Sequence, residues 1–262
     1  MNDAIVTVGD FTKAYGDFVA VQDITFSVQR GEIFGLLGPN GAGKTTTLEC
    51  LEGLRQPDSG TLSVAGVDPT HEHSRLRNLI GVQLQSGGLP ENITPDEAMR
   101  LFCAYHKVVP QYDLLDRLGL GEKRNAQYHQ LSTGQQRRLT LALAVAHGPQ
   151  VLFLDEPTAG LDVASRVELH NLMRELQASG TTMILATHDM AEAEEMSDRV
   201  AILLRGRLVT VGTPMEITAT GAGFTKVTVR SAGSTLLTDE HDFPAVSQQT
   251  VKEPYGIYFS TD

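Results

Sequence analysis

The stretch Gly38-Pro39-Asn40-Gly41-Ala42-Gly43-Lys44-Thr45-Thr46 restricts the fold of this chain more than any other. It fits the pattern G-x-x-x-x-G-K-[ST], whose fixed positions each have a physical task. Glycines let the backbone curl so that successive N–H groups face a phosphate chain, where a Cβ would collide. Lys44 can reach the outer phosphates, and the Thr45 hydroxyl is placed to ligate Mg²⁺. The flanks agree. Glu32-Ile33-Phe34-Gly35-Leu36-Leu37 is an apolar run of buried-strand length, and 45–51 reads as a helix whose N-terminal dipole faces the phosphates. Strand, glycine loop and helix in that order make a nucleotide site.

The rest of the composition narrows the setting. The 262 residues give room for a sizeable core in one large domain or two small ones. With 41% hydrophobic and 20% charged residues, the chain is expected to be a soluble globular protein. No run approaches the roughly 18 apolar residues of a membrane span. Met1-Asn2-Asp3-Ala4 opens no signal peptide. Cys50 and Cys103 lack metal-type spacing and are expected to be reduced, partly buried thiols of a cytosolic protein. A net charge of −11 argues against nucleic acid as the main ligand, because phosphate backbones are bound by basic faces.

Before the glycine loop, 4–8 and 24–28 read as strands rich in β-formers. Tyr15, beside a glycine turn, is either a surface aromatic or a ring that stacks on adenine. After the loop come a turn at Pro57-Asp58-Ser59-Gly60 and strands at 61–66 and 79–85. Gln85 closes the second of these. From Thr94-Pro95-Asp96-Glu97 the pattern becomes helical, with Thr94 as cap and Pro95 in the first turn. Met99, Phe102, Cys103 and His106 recur at helical spacing as core, and a second helix near 113–118 is ended by glycine. Residues 88–148 therefore form a mainly helical insert. It ends in Leu131-Ser132-Thr133-Gly134-Gln135, where Ser132 and Gln135 make a capping box. That box either opens an ordinary helix or offers a second anion-binding helix end.

Gln150-Val151-Leu152-Phe153-Leu154-Asp155-Glu156-Pro157 is a buried parallel strand closed by two carboxylates. Ligands of open α/β sheets lie beyond such strand ends. Asp155 can hold Mg²⁺ through water, and Glu156 can polarise an attacking water. A strand at 181–187 brings His188 to the same edge, and 199–204 with 207–212 reads as a closing hairpin around Arg205-Gly206. Strands are also expected at 224–230 and 255–260.

Taken together and in this order, these segments resemble the ATP-binding-cassette (ABC) ATPases over residues 4–215. The resemblance identifies Lys44 and Thr45 with the Walker A residues, and Asp155 and Glu156 with Walker B and its catalytic carboxylate. Gln85 corresponds to the Q-loop glutamine, a further Mg²⁺ ligand, and Tyr15 to the A-loop aromatic. Asp162, in Ala159-Gly160-Leu161-Asp162, corresponds to the D-loop, and His188 to the switch histidine. Ser132, Thr133, Gly134 and Gln135 resemble the signature LSGGQ, departing at Thr133. The fold implied is a P-loop NTPase with an antiparallel β subdomain, a RecA-like core and a helical insert at about 88–148. Residues 1–215 form this domain, and 216–262 a small C-terminal α/β appendage. The resemblance further implies ATP and Mg²⁺ as cofactors and a head-to-tail homodimer in which Ser132 and Gly134 contact the partner's ATP. It implies a separately encoded membrane permease that this subunit drives from the cytoplasmic face of the membrane. The run 160–166 and the short tail look most like type-2 exporters of the drug-resistance group. A soluble, non-transport ABC ATPase, such as one for cluster assembly, is the alternative.

Overall fold

Three strands that read as unbroken apolar runs form the middle of the molecule. They are β3 (Ile33–Leu37), β6 (Val151–Asp155) and β7 (Thr182–Thr187), and every residue in them is buried. A strand covered on both faces has no solvent side, so its sequence does not alternate. A computed structural model describes residues 4–83, 88–220, 225–230, 246–252 and 255–260. The described chain divides into two compact units, Met1–Pro214 and Met215–Asp262.

In the larger unit, β1 (Ala4–Tyr15), β2 (Phe18–Gln29) and β4 (Ser59–Val64) form an antiparallel sheet in the order β2-β1-β4. The main sheet has the order β5-β6-β7-β3-β8-β9, with β5 at Ile80–Gln83, β8 at Arg199–Leu204 and β9 at Arg207–Gly212. All its pairings are parallel except the β8–β9 hairpin. Helix α1 (Lys44–Leu51) follows β3, and a single turn α2 (His73–Leu76) precedes β5. The insert carries α3 (Pro95–His106), α4 (Tyr112–Arg117) and α5 (Thr133–Val145). Helices α6 (Val163–Ala178) and α7 (Met190–Met196) connect β6 to β7 and β7 to β8, and α8 (Pro214–Thr220) follows β9. The smaller unit has a three-stranded antiparallel sheet, with β12 (Tyr255–Ser260) between β10 (Thr225–Arg230) and β11 (Val246–Lys252).

The main sheet is a wall between two cores. Successive side chains of a strand point to opposite faces. Thus Phe34, Leu36, Phe153 and Ile184 pack with the antiparallel sheet and α1. Their neighbours Ile33, Leu152, Leu154, Met183 and Leu185 pack with the helical insert and α6. Both cysteines are free and buried, one in each core. Burial pushes the Cys50 thiol up to about 11, so it is held as an unreactive thiol.

The strands at 4–8 and 24–28 extend much further than alternation indicates, meeting in a hairpin at Gly16-Asp17. Bulges interrupt their register between Val8 and Phe11 and between Phe11 and Lys13, and Asp10 and Asp23 have φ of 50° and 51°. Each bulge shifts the two-residue period and hides the strand. Helix α6 is a further element that the sequence pattern does not disclose. In contrast, Thr94 caps α3 in a capping box with Glu97, with Pro95 in the first turn, as the residues indicate.

Phe153 is fully buried in the core beside the antiparallel sheet. Phe153→Ala is expected to cost about 3–5 kcal/mol of unfolding free energy, measured as a lowered urea midpoint.

Candidate functional site

The parallel strands deliver their carboxyl ends to one edge, and the register sets what meets there. Leu37 of β3 pairs with Thr187 of β7, and Ala186 of β7 pairs with Asp155 of β6. The glycine loop, the Asp155-Glu156 pair and His188 consequently converge. Gly38 N–H donates to the Thr187 carbonyl at 3.3 Å, and Glu156 N–H to the Ala186 carbonyl at 2.9 Å.

Two glycines in the loop are sterically required. Gly43 has φ of 103°, and a Cβ on it would lie 2.6 Å from the Ala20 carbonyl oxygen. A Cβ on Gly38 would lie 2.4 Å from the Leu203 carbonyl oxygen. Gly43 also stands at the N-cap of α1 and supplies no side-chain acceptor to the first-turn N–H groups. Helices α3, α5, α6 and α7 by contrast are capped by Thr94, Ser132, Asp162 and Asp189. The start of α1 is therefore the one of these five helix ends whose donors remain for an anion.

Lys44 is buried, and its Nζ lies across the loop, donating to the Gly38 carbonyl at 2.7 Å and the Pro39 carbonyl at 3.2 Å. Desolvation lowers its pKa, against the pull of Glu156 and Asp155. Thr45 Oγ1 donates to Asp155 Oδ2 at 2.9 Å. Burial raises the Asp155 pKa despite that hydrogen bond. Glu156 Oε1 lies 4.0 Å from Lys44 Nζ and accepts from His188 Nδ1 at 2.8 Å. His188 stays half exposed while Glu156 is buried. The result is a cationic glycine cradle facing a carboxylate that an imidazole holds in one orientation.

A pocket joins this cradle to Tyr15. It is lined by Tyr15, Phe18, Ala20, Asn40, Gly41, Gly43, Lys44, Thr45, Thr46 and Glu156. Tyr15 is 41% exposed, with Lys13 Nζ and the Arg55 guanidinium 5.5 and 5.4 Å from its ring centre. Phe18, 62% exposed, pairs with Tyr15 across the hairpin. Sequence reading overlooked Phe18; its signal was a second aromatic at the other side of the Gly16-Asp17 turn. Ala42 is buried beneath the loop.

The remaining candidate residues do not line this pocket. Ser132 caps α5, its Oγ accepting from Gln135 N–H at 3.2 Å while Gln135 Oε1 accepts from Ser132 N–H at 2.9 Å. Thr133 is exposed. Gly134 lets α5 approach α6, since a Cβ there would sit 2.9 Å from Ser165 Oγ. Asp162 caps α6 and accepts from Ser165 N–H at 2.9 Å and Ser165 Oγ at 2.8 Å, which holds its pKa low. Gln85 lies outside the described residues.

The sequence matches the ABC transporter family over residues 21–159. The chain belongs to that family. It is an ATP-hydrolysing, nucleotide-binding transporter subunit. This ABC ATPase is 38% identical over 246 residues to the Nod factor export ATP-binding protein I of Burkholderia orbicola (strain AU 1054), covering 92% of this chain and 81% of that one. It is also 38% identical to the daunorubicin resistance ATP-binding protein DrrA3 of Streptomyces coeruleorubidus, over 89% of this chain and 76% of that protein. Among solved structures it resembles the dimeric, post-hydrolysis ATP-binding cassette MJ0796 bound to ADP and Pi. That match has a TM-score of 0.73 and 25% identity, covering 80% of this chain and 98% of that one. ABC ATPase domains work as dimers with membrane permeases. Among the described residues of this ABC ATPase, no helix is long and apolar enough to cross a membrane.

Two outcomes are expected here. Tyr15→Ala should weaken ATP binding by about 1 kcal/mol, as one lost ring contact, while Tyr15→Phe should not; calorimetric titration separates the two. The second concerns Glu52, at the end of α1, which is buried with Oε2 unpartnered. Burial, with Asp155 and Glu49 adding, raises its pKa from 4.5 to about 8. The folded state then holds a proton that the unfolded state has lost, so stability falls as pH rises between those values. Glu52→Gln should be more stable than the parent at pH 8 by about 2–4 kcal/mol and equal to it near pH 4, read from denaturant titrations at both pH values.

Proposed function

We propose that this chain is the ATPase subunit of an exporter, working as a homodimer on the cytoplasmic face of the membrane. The observation that carries the reading is the contact of His188 Nδ1 with Glu156 Oε1 at 2.8 Å, beside Lys44 at the glycine cradle. Residues 1–215 form the ATP-binding domain, with the helical insert at about 88–148, and 216–262 form an appendage. Gly38, Pro39, Asn40, Gly41, Ala42, Gly43, Lys44, Thr45 and Thr46 hold the phosphates, and Tyr15 with Phe18 holds the adenine. The relatives named for Nod factor export and daunorubicin resistance support the export direction.

Glu156 orients and deprotonates the attacking water. A carboxylate already accepting from His188 loses little freedom on doing so, which lowers the entropic part of the barrier. His188 contacts the γ-phosphate through its exposed edge. Mg²⁺ suits the donors present. Thr45 Oγ1 and Asp155 Oδ2 are hard oxygens side by side, and the family resemblance assigns Gln85, outside the described residues, as a third ligand. No group of three His, Cys, Asp or Glu that would cage a metal occurs among the described residues. When bound, the ion neutralises charge on the phosphates.

Ser132, Thr133, Gly134 and Gln135 complete the site of the second copy. Their absence from the pocket of their own chain supports a head-to-tail dimer, as does the dimeric state of MJ0796. Asp162, hydrogen-bonded to Ser165 where α6 meets Gly134, is assigned to the same partner contact.

Glu156→Gln should keep ATP binding, stop phosphate release and accumulate as an ATP-bound dimer; monomers by light scattering at saturating ATP would count against the sandwich. Lys44→Ala should lose ATP binding in the same assay. Pull-down of tagged Glu156→Gln from solubilised membranes should bring a polytopic membrane protein. Recovery of soluble partners alone would favour a non-transport ATPase.

A further inference from the structure

A buried carboxylate that the hydrolytic site does not use is hydrogen-bonded to the turn that follows Glu156. Glu192, in the first turn of α7, is 2% exposed. An isolated buried carboxylate is strongly disfavoured, so this one has to be matched by donors. Thr158 Oγ1 donates to Glu192 Oε1 at 2.6 Å, and His170 Nε2 lies 3.4 Å from the same oxygen. The nearby Thr187 hydroxyl adds to the stabilisation of its ionised form. His170 Nδ1 lies 3.6 Å from Glu195 Oε2, which fixes the ring from its other side. Thr158, Thr187 and His170 are all buried.

The groups around it come from three different elements. Thr158 stands two residues after Glu156, on the turn that leaves β6. Thr187 is the last residue of β7, one before His188. His170 is in the middle of α6. Glu192 itself is on α7, which begins two residues after His188. The hydrogen bond from Thr158 to Glu192 thus joins the turn that follows Glu156 to the helix that follows His188. Thr187 is further tied in, because its carbonyl accepts from Gly38 N–H and its hydroxyl from Asp189 N–H at 3.0 Å.

We infer that Glu192 is a positioning residue for ATP hydrolysis, setting through Thr158 and through its own place on α7 the contact between Glu156 and His188. It does not line the nucleotide pocket. The role rests on the reading of Glu156 and His188 given above. Its physical content is that two short loops are referred to one buried acceptor. Small misplacements of a base cost turnover without costing affinity.

The test is steady-state ATP hydrolysis by the full chain carrying Thr158→Val, Thr158→Ser, Glu192→Gln or Glu156→Gln, with ATP affinity and melting temperature measured on each. Thr158→Val keeps shape and removes the hydroxyl; about a tenfold fall in kcat is expected, with KM for ATP within twofold of the parent. Thr158→Ser restores the hydroxyl and should restore kcat. Thr158→Val added to Glu192→Gln should lower kcat by less than it does alone, since both act on one bond. Unchanged turnover in Thr158→Val, a loss that Thr158→Ser does not repair, or a rise in KM equal to the fall in kcat would each overturn the inference. Glu156→Gln separates the two levels. If it abolishes turnover while Thr158→Val is fully active, only the positioning role is lost; if it remains active, the assignment of the base fails and the inference with it.

Discussion

The lateral pairing of β3, β7 and β6 is the interaction on which the rest of the molecule depends. Parallel strands end at one side of a sheet, so loops from distant parts of the sequence arrive at a common edge. The pairs Leu37–Thr187 and Asp155–Ala186 bring the glycine loop, the carboxylates and the imidazole there, within reach of Lys44. A slip of one residue in either pairing would turn Asp155 or Thr187 to the opposite face. The burial of both sheet faces makes such a slip costly. The same apolar residues that stabilise the fold therefore fix the geometry of the site.

Helix ends express the second organising choice. At four helix starts a side chain satisfies the end, as Thr94, Ser132, Asp162 and Asp189 do. At α1 the cap is a glycine in a left-handed conformation and the N–H groups are left for a phosphate. The helix gives up roughly a few tenths of a kcal/mol there, the difference between a glycine and a side-chain cap. An anion that returns it would couple binding to local order.

Much of this was legible in the residues because each signal is local. The glycine loop, the apolar strands ending in Asp155 and His188, and the Thr94 and Ser132 capping boxes are all set by neighbours within a few positions. What was not legible depends on contacts between distant segments. Bulges broke the alternation of β1 and β2. Exposed Val163 and Val167 together with buried His170 blur the apolar stripe of α6. Phe18 joins the pocket only through the hairpin that pairs it with Tyr15, and Glu192 is explained only by Thr158 and His170, which come from distant elements.

Glu156 has a φ of 48°, in the region where a side chain is strained. A non-glycine residue held there stores on the order of 1 kcal/mol or more. The fold at this position would be served best by glycine, or by asparagine, both of which tolerate the conformation. Neither carries a carboxylate. Stability and turnover therefore ask for different residues at 156, and selection for thermal robustness alone would draw this chain toward an ATP-binding protein that cannot release its phosphate.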